Sequence, residues 1–300
     1  MNRLLSRRAI LLAAGSSVAA AWAKAPRTAE TTGEKVAFSF DGRPLFEYRY
    51  STARPKPYIH PLYAPNGAAV TIDSPPDHVH HRGVMLAWSD VKGFDFWGED
   101  NPGPPHGQIV HQRFETPRSK RSAEVTAVNH WIGAGEVLLI ERQTLRAPAQ
   151  TNDLVRLEWD SEIRPAAGPI TLSAANHPYD GLGIRFVRSM DGGKVLNSNG
   201  TATIEQANGE PAEWAAYAGP LAGGEVCGVA VFDHPKNPRH PCPFFVMNKP
   251  FGYLSAAPTF KEPIPLAPGE SVRFRWMVVT FMGAPERARL DRLYRDWSGA

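Results

Sequence analysis

Proline and glycine recur so often between residues 36 and 283 that no long helix can run there. The whole chain holds 28 prolines and 26 glycines, and helical periodicity is almost absent before residue 284. What remains is a series of short apolar or alternating runs separated by turns, the pattern of an all-β fold. Strands are expected over 123–132, 136–145, 155–163, 170–174, 201–205, 226–232 and 272–281. In the last, Val272, Phe274, Trp276 and Val278 alternate with Ser271, Arg273, Arg275 and Met277, so one face is buried and the other partly wet. Gly133-Ala134-Gly135 reads as a hairpin loop, and Asp191-Gly192-Gly193 and Pro268-Gly269 read as tight turns. Past this body, Pro285 and Glu286 open a helix over 284–298. Its Leu290, Leu293, Tyr294 and Trp297 form one stripe that should pack on the β body.

The first 25 residues read as an address. Arg3, Arg7 and Arg8 precede an apolar run from Ala9 to Ala21, and Ala21-Trp22-Ala23 or Ala23-Lys24-Ala25 offers a small-x-small cleavage site. The Arg7-Arg8 pair matches the twin-arginine type, which makes the export machinery the expected partner and the periplasm the expected location. The run is shorter than the ~20 residues a bilayer demands, and no later segment is apolar enough, so the mature form is expected to lack a membrane span. A flexible stub over 26–35 should then lead into one domain over 36–283. The net charge of +3 includes Arg3, Arg7, Arg8 and Lys24 of the leader, so the mature chain is near neutral and carries no nucleic-acid footprint. Cys227 and Cys242 could pair in an oxidising compartment or stay as buried thiols.

One heptapeptide stands out as a site: Asp77-His78-Val79-His80-His81-Arg82-Gly83, followed by the strand-like Val84-Met85-Leu86-Ala87-Trp88. Its sequel brings Asp95, Trp97 and Glu99, the mixture of aromatic faces and carboxylates that grips a sugar. A second polar loop, Asn176-His177-Pro178-Tyr179-Asp180, leads to Arg185 and pairs an imidazole with a carboxylate that can fix its tautomer. Further polar segments are Asp233-His234-Pro235-Lys236-Asn237-Pro238-Arg239-His240-Pro241, a site rim, and His60-Pro61-Leu62-Tyr63. No cofactor motif is present. Were a metal bound, His78 and His80 would share one face of a strand and His81 would point away.

With those motifs in view, residues 36–283 resemble a bacterial family labelled "methane oxygenase PmoA". The carriers are His60-Pro61-Leu62-Tyr63, His78 to Gly83, Asp95-Phe96-Trp97-Gly98-Glu99 and His177-Pro178-Tyr179-Asp180-Gly181-Leu182-Gly183. More distantly, His81-Arg82-Gly83, Asn176-His177-Pro178-Tyr179 and the ending Pro268-Gly269-Glu270 are similar to the galactose mutarotase-like sugar enzymes. That resemblance implies an antiparallel β-supersandwich of two large sheets, here with one C-terminal helix, and a general-acid role for His177. The Glu base of mutarotases has no counterpart in Asn248 to Ser255, so plain mutarotation is not expected. Together these readings point to a periplasmic carbohydrate-active enzyme that hydrolyses, eliminates or remodels a glycoside, of a plain or an oxidised sugar. His80, His81, His177, Arg82 and Asp180 would be catalytic, and Trp88, Asp95, Trp97, Glu99, Tyr179, Arg185 and His60 would hold the substrate. The alternatives are a metal-dependent oxidoreductase and a non-catalytic sugar-binding protein.

Overall fold

The computed structural model describes residues 27–99, 102–115, 123–148, 150–173 and 178–299. The expected leader over 1–25 lies outside them. The stretch 26–35, read as a flexible stub, is instead largely strand: β1 (Arg27–Thr32) pairs along its length with β2 (Lys35–Phe40).

The remaining strands are β3 (Arg43–Arg49), β4 (Tyr58–Leu62), β5 (Val84–Ala87), β6 (Asp90–Val91), β7 (Gln108–Phe114), β8 (Glu124–Gly133) and β9 (Glu136–Arg146). Then come β10 (Leu154–Pro165), β11 (Ile170–Ser173), β12 (Gly181–Arg185), β13 (Lys194–Asn197), β14 (Trp214–Pro220) and β15 (Val226–Asp233). The series ends with β16 (Phe244–Met247), β17 (Tyr253–Ala256), β18 (Ile264–Leu266) and β19 (Val272–Met282). Among the described residues two α-helices accompany them, α1 (Ile204–Ala207) and α2 (Arg287–Ser298), with a 3-10 turn over Arg188–Met190.

Among the described residues the strands form two eight-stranded antiparallel sheets and a small third one. The first sheet runs β1-β2-β3-β4-β5-β12-β17-β16 and the second β13-β14-β15-β19-β10-β9-β8-β7. Their facing sides share one apolar core, in which Phe186 stacks on Tyr217 with centroids 4.6 Å apart and Trp88 packs near Trp131 and Phe274. The expected supersandwich is therefore the architecture found.

Strand β19 shows how the second sheet comes to be covered twice. Val272, Phe274, Trp276 and Val278 face the inter-sheet core. Met277, Val279 and Phe281 on the opposite face join Leu290 and Tyr294 of α2 in a separate cluster. The apolar stripe of the helix thus packs where its sequence places it. The helix starts later than expected, with Glu286 as its N-cap and Pro285 just outside, and it ends on Gly299 in the left-handed conformation. At the 133–135 hairpin, Ala134 (φ 49°) and Gly135 (φ 83°) give the two positive φ values that a tight two-residue turn demands. One strand expectation fails: Thr201 to Glu205 leads into the short helix α1, where Ala207 N–H donates to Thr203 O (3.0 Å) and Asn208 N–H to Ile204 O (2.9 Å).

Candidate functional site

The central strands of the first sheet supply a floor. Because side chains alternate along a strand, the register places Gly183 and Arg185 of β12, Tyr253 of β17 and Phe245 and Met247 of β16 on one face. Leu182, Ile184, Val246 and Leu254 take the other face and join the core. Above that floor three segments close in: the His78 to His81 turn, the loop bearing Trp97, and Tyr179 at the entry to β12. With Phe251 they enclose a cleft of about 240 Å³.

The histidine turn is built locally. His78 N–H donates to Pro75 O (2.9 Å), His81 N–H to His78 O (3.0 Å) and Ser74 N–H to His81 O (2.8 Å). Gly83 anchors its far end at φ 66°, where an added Cβ would lie 2.3 Å from the Ile59 carbonyl oxygen, so no other residue fits. The turn brings all three imidazoles into contact. His78 stacks on His81 (4.7 Å), His80 meets His81 edge-on (4.6 Å), and His78 and His80 are 5.6 Å apart. These residues are not on a strand, so the shared face expected of His78 and His80 does not exist. Among the described residues, no group of three or more His, Cys, Asp or Glu is arranged to hold a metal ion.

Arg185 organises the cluster from beneath. Its Nη1 donates to His81 Nδ1 (3.0 Å), its Nη2 to Asp77 Oδ2 (2.7 Å), and its Cζ lies 3.6 Å from the centre of the Phe251 ring. A guanidinium can only donate, so His81 Nδ1 accepts and the ring proton sits on Nε2. Burial, then the neighbouring His80 and Arg185, push His81 down to about 2. Burial and the nearby Lys56 charge push His80 down to about 4. Both rings are therefore neutral near physiological pH. His80 Nδ1, Trp97 Nε1 and Tyr253 OH, all on cleft-lining residues, are buried without a hydrogen-bond partner.

Several expected site residues lie behind the cleft, each with a structural task. Arg82 is buried with every nitrogen engaged: Nε and Nη2 on Glu99, Nη1 on Asp73 and Ser74. It cannot face a substrate. Glu99 also pairs with Lys56 (3.1 Å), a buried lysine that sequence reading passed over and whose Nζ caps the Trp97 carbonyl. Burial alone would raise Glu99, but Lys56 and Arg82 outweigh it and hold its carboxyl below the ordinary range. Asp95 Oδ1 accepts from Trp97 N–H (2.7 Å) and Gly98 N–H (2.9 Å), so it shapes the loop instead of meeting a ligand.

Trp88 was expected to stack on a sugar. It is fully buried in the inter-sheet core with Nε1 on Thr259 Oγ1 (3.0 Å), since β5 lies in mid-sheet. Trp97 does line the cleft, but only as a back wall at 2% exposure; the accessible aromatic faces belong to Tyr179 and Phe245, 5.4 Å apart. Asp180 is sealed beneath Tyr179, taking hydrogen bonds from the N–H and hydroxyl of Ser89. Burial pushes its carboxyl well above the ordinary carboxylate range, against the pull of those bonds. His60 contacts Thr71 (3.1 Å) and is not part of the cleft lining. The 233–241 loop is folded around Asp233, which receives Asn237 Nδ2, His240 Nδ1 and Cys242 N–H, and His234 packs on Trp297 of α2. It rims no part of this cleft. Asn176 and His177 lie outside the described residues. The β16–β17 wall was missed because Phe244-Phe245-Val246-Met247 is apolar throughout, so alternation could not reveal which side is wet.

A family model described as "Family of unknown function (DUF6807)" matches residues 35–295. It names no activity, so the methane-oxygenase label gains no support from it. No curated protein matches the chain. Among solved structures, one described as a heparinase III gene product with methylated lysines is 10% identical, with a TM-score of 0.33. The alignment covers 88% of this chain and 35% of that one, so this chain spans about a third of its length.

Proposed function

The chain belongs to that family of unknown function, DUF6807, and from the cleft's geometry we propose a carbohydrate-active enzyme that cleaves or remodels a glycoside by proton transfer through imidazole. One observation carries this reading. Neutral His80 and His81 share a single cleft with accessible aromatic faces and with buried N–H and O–H groups that lack partners. Tyr179 and Phe245 offer apolar surface to a ring, and the unpartnered groups suit hydroxyls. A neutral His80 accepts a proton from an attacking water or a substrate hydroxyl, and His81 offers its Nε2–H as a hydrogen-bond donor to a substrate oxygen. His177, two residues before Tyr179, is proposed as the acid on the leaving side. Arg185 positions His81 from behind. The leader-like amino terminus supports action in the periplasm.

Screening purified protein against glycosides, with His80→Ala and His81→Asn beside the parent, tests this. Each change should lower turnover by roughly 100-fold or more while circular dichroism stays that of the parent. Full turnover in the folded double variant would overturn the assignment.

A further inference from the structure

None of the nine described side chains that line the cleft is a carboxylate, ammonium or guanidinium. The buried cations beside it already hold partners. Arg185, 1% exposed, spends its two terminal nitrogens on His81 and Asp77, keeps only its buried Nε unpaired, and lies flat against Phe251. Arg82 and Lys56 lie within a buried cluster whose two positive charges are matched by Glu99 and Asp73. Arg188, at the surface, is held by Asp77 (2.9 Å). Among the described lining side chains, a carboxylate entering this cleft would give up its water and meet no free ammonium or guanidinium in return, a desolvation cost that these residues do not offset. Hydroxyls need only neutral partners, and Trp97 Nε1, Tyr253 OH and His80 Nδ1 are three such groups still unpaired.

We propose that the cleft selects an uncharged pyranoside and rejects the matching uronide. This deepens the carbohydrate reading and rests on it. It also bears on the reaction. Elimination from a uronate needs a positive group to gather the charge that grows on the carboxylate as the ring C–H is removed, and no described residue facing the cleft supplies one.

Titration calorimetry of the full chain near neutral pH, with paired methyl glycosides, is the test: glucoside with glucuronide, galactoside with galacturonide, mannoside with mannuronide. The expected result is a neutral member that binds at least roughly tenfold more tightly than its uronide. Equal or tighter binding of a uronide overturns the inference and leaves the carbohydrate reading in place. If no member of any pair binds, both fall. A second variant tests the cause. Met247 is only partly buried on the cleft wall, at the edge of the core, so Met247→Lys can bring an ammonium to the cleft on a flexible stem. It should shrink the preference for the neutral member about tenfold, and an unchanged preference in the folded variant would count against selection by charge.

Discussion

At Gly183 the chain leaves no room for a side chain: a Cβ would stand 1.8 Å from the Tyr253 hydroxyl oxygen and 2.9 Å from Trp97. Gly183→Ala must therefore push back two residues of the cleft wall. We expect it to cost about 1–3 kcal/mol in denaturant unfolding and to weaken ligand binding at the same time. The histidines give a second test at this scale. A ring held near 4 in the fold, against an ordinary 6.5, takes up its proton first in the unfolded chain as pH falls. The stability tied to His80 is thus fully present above about pH 6.5 and is lost toward pH 4, on the order of 3 kcal/mol. Urea midpoints measured near neutrality and at about pH 4.5 should differ less in His80→Gln than in the parent. The sequence made the imidazole cluster conspicuous. It could not distinguish the rings, which meet the cleft, from Arg82, which turns away, because that depends on Glu99 arriving from a different loop.

Elements divide the work cleanly. Sheet one carries the cleft on its outer face, and α2 seals the far face of sheet two. Leu290→Ala should cost about 2–5 kcal/mol of stability and leave ligand affinity at the parent value, as paired denaturation and calorimetry would show. A parallel loss of affinity in protein that remains folded would contradict this separation. The helix and the long strands of sheet two were legible because an apolar stripe or an alternating face leaves a periodic trace. Short strands such as β12, buried over all five residues, leave none, and Gly181-Leu182-Gly183 looks like a turn until neighbouring strands pair with it.

Across the whole molecule, two buried polar assemblies flank the apolar core. Glu141, inside the sandwich, takes hydrogen bonds from Ser161, Asn129 and Trp131, and burial raises its carboxyl. The other assembly, Lys56, Glu99 and Arg82, ties the Trp97 loop to the body. Glu99→Gln leaves Arg82 with Asp73 but strips buried Lys56 of its carboxylate, and should cost about 3–5 kcal/mol, read from the denaturation midpoint. The all-β class could be inferred from turn spacing and the two-sheet sandwich only from the resemblance to mutarotase-like enzymes, whereas the cleft draws on residues from His78 to Tyr253, and pairs so distant meet only once the sandwich closes. Asp77 occupies an unusual place in this arrangement. About one-third exposed, it joins the buried His81–Arg185 hydrogen bond in fastening the histidine turn, holding Arg185 and Arg188 where water and ions can reach. For an uncharged ligand, then, ionic strength still reaches affinity through this carboxylate: dissolved salt competes for it and loosens the turn.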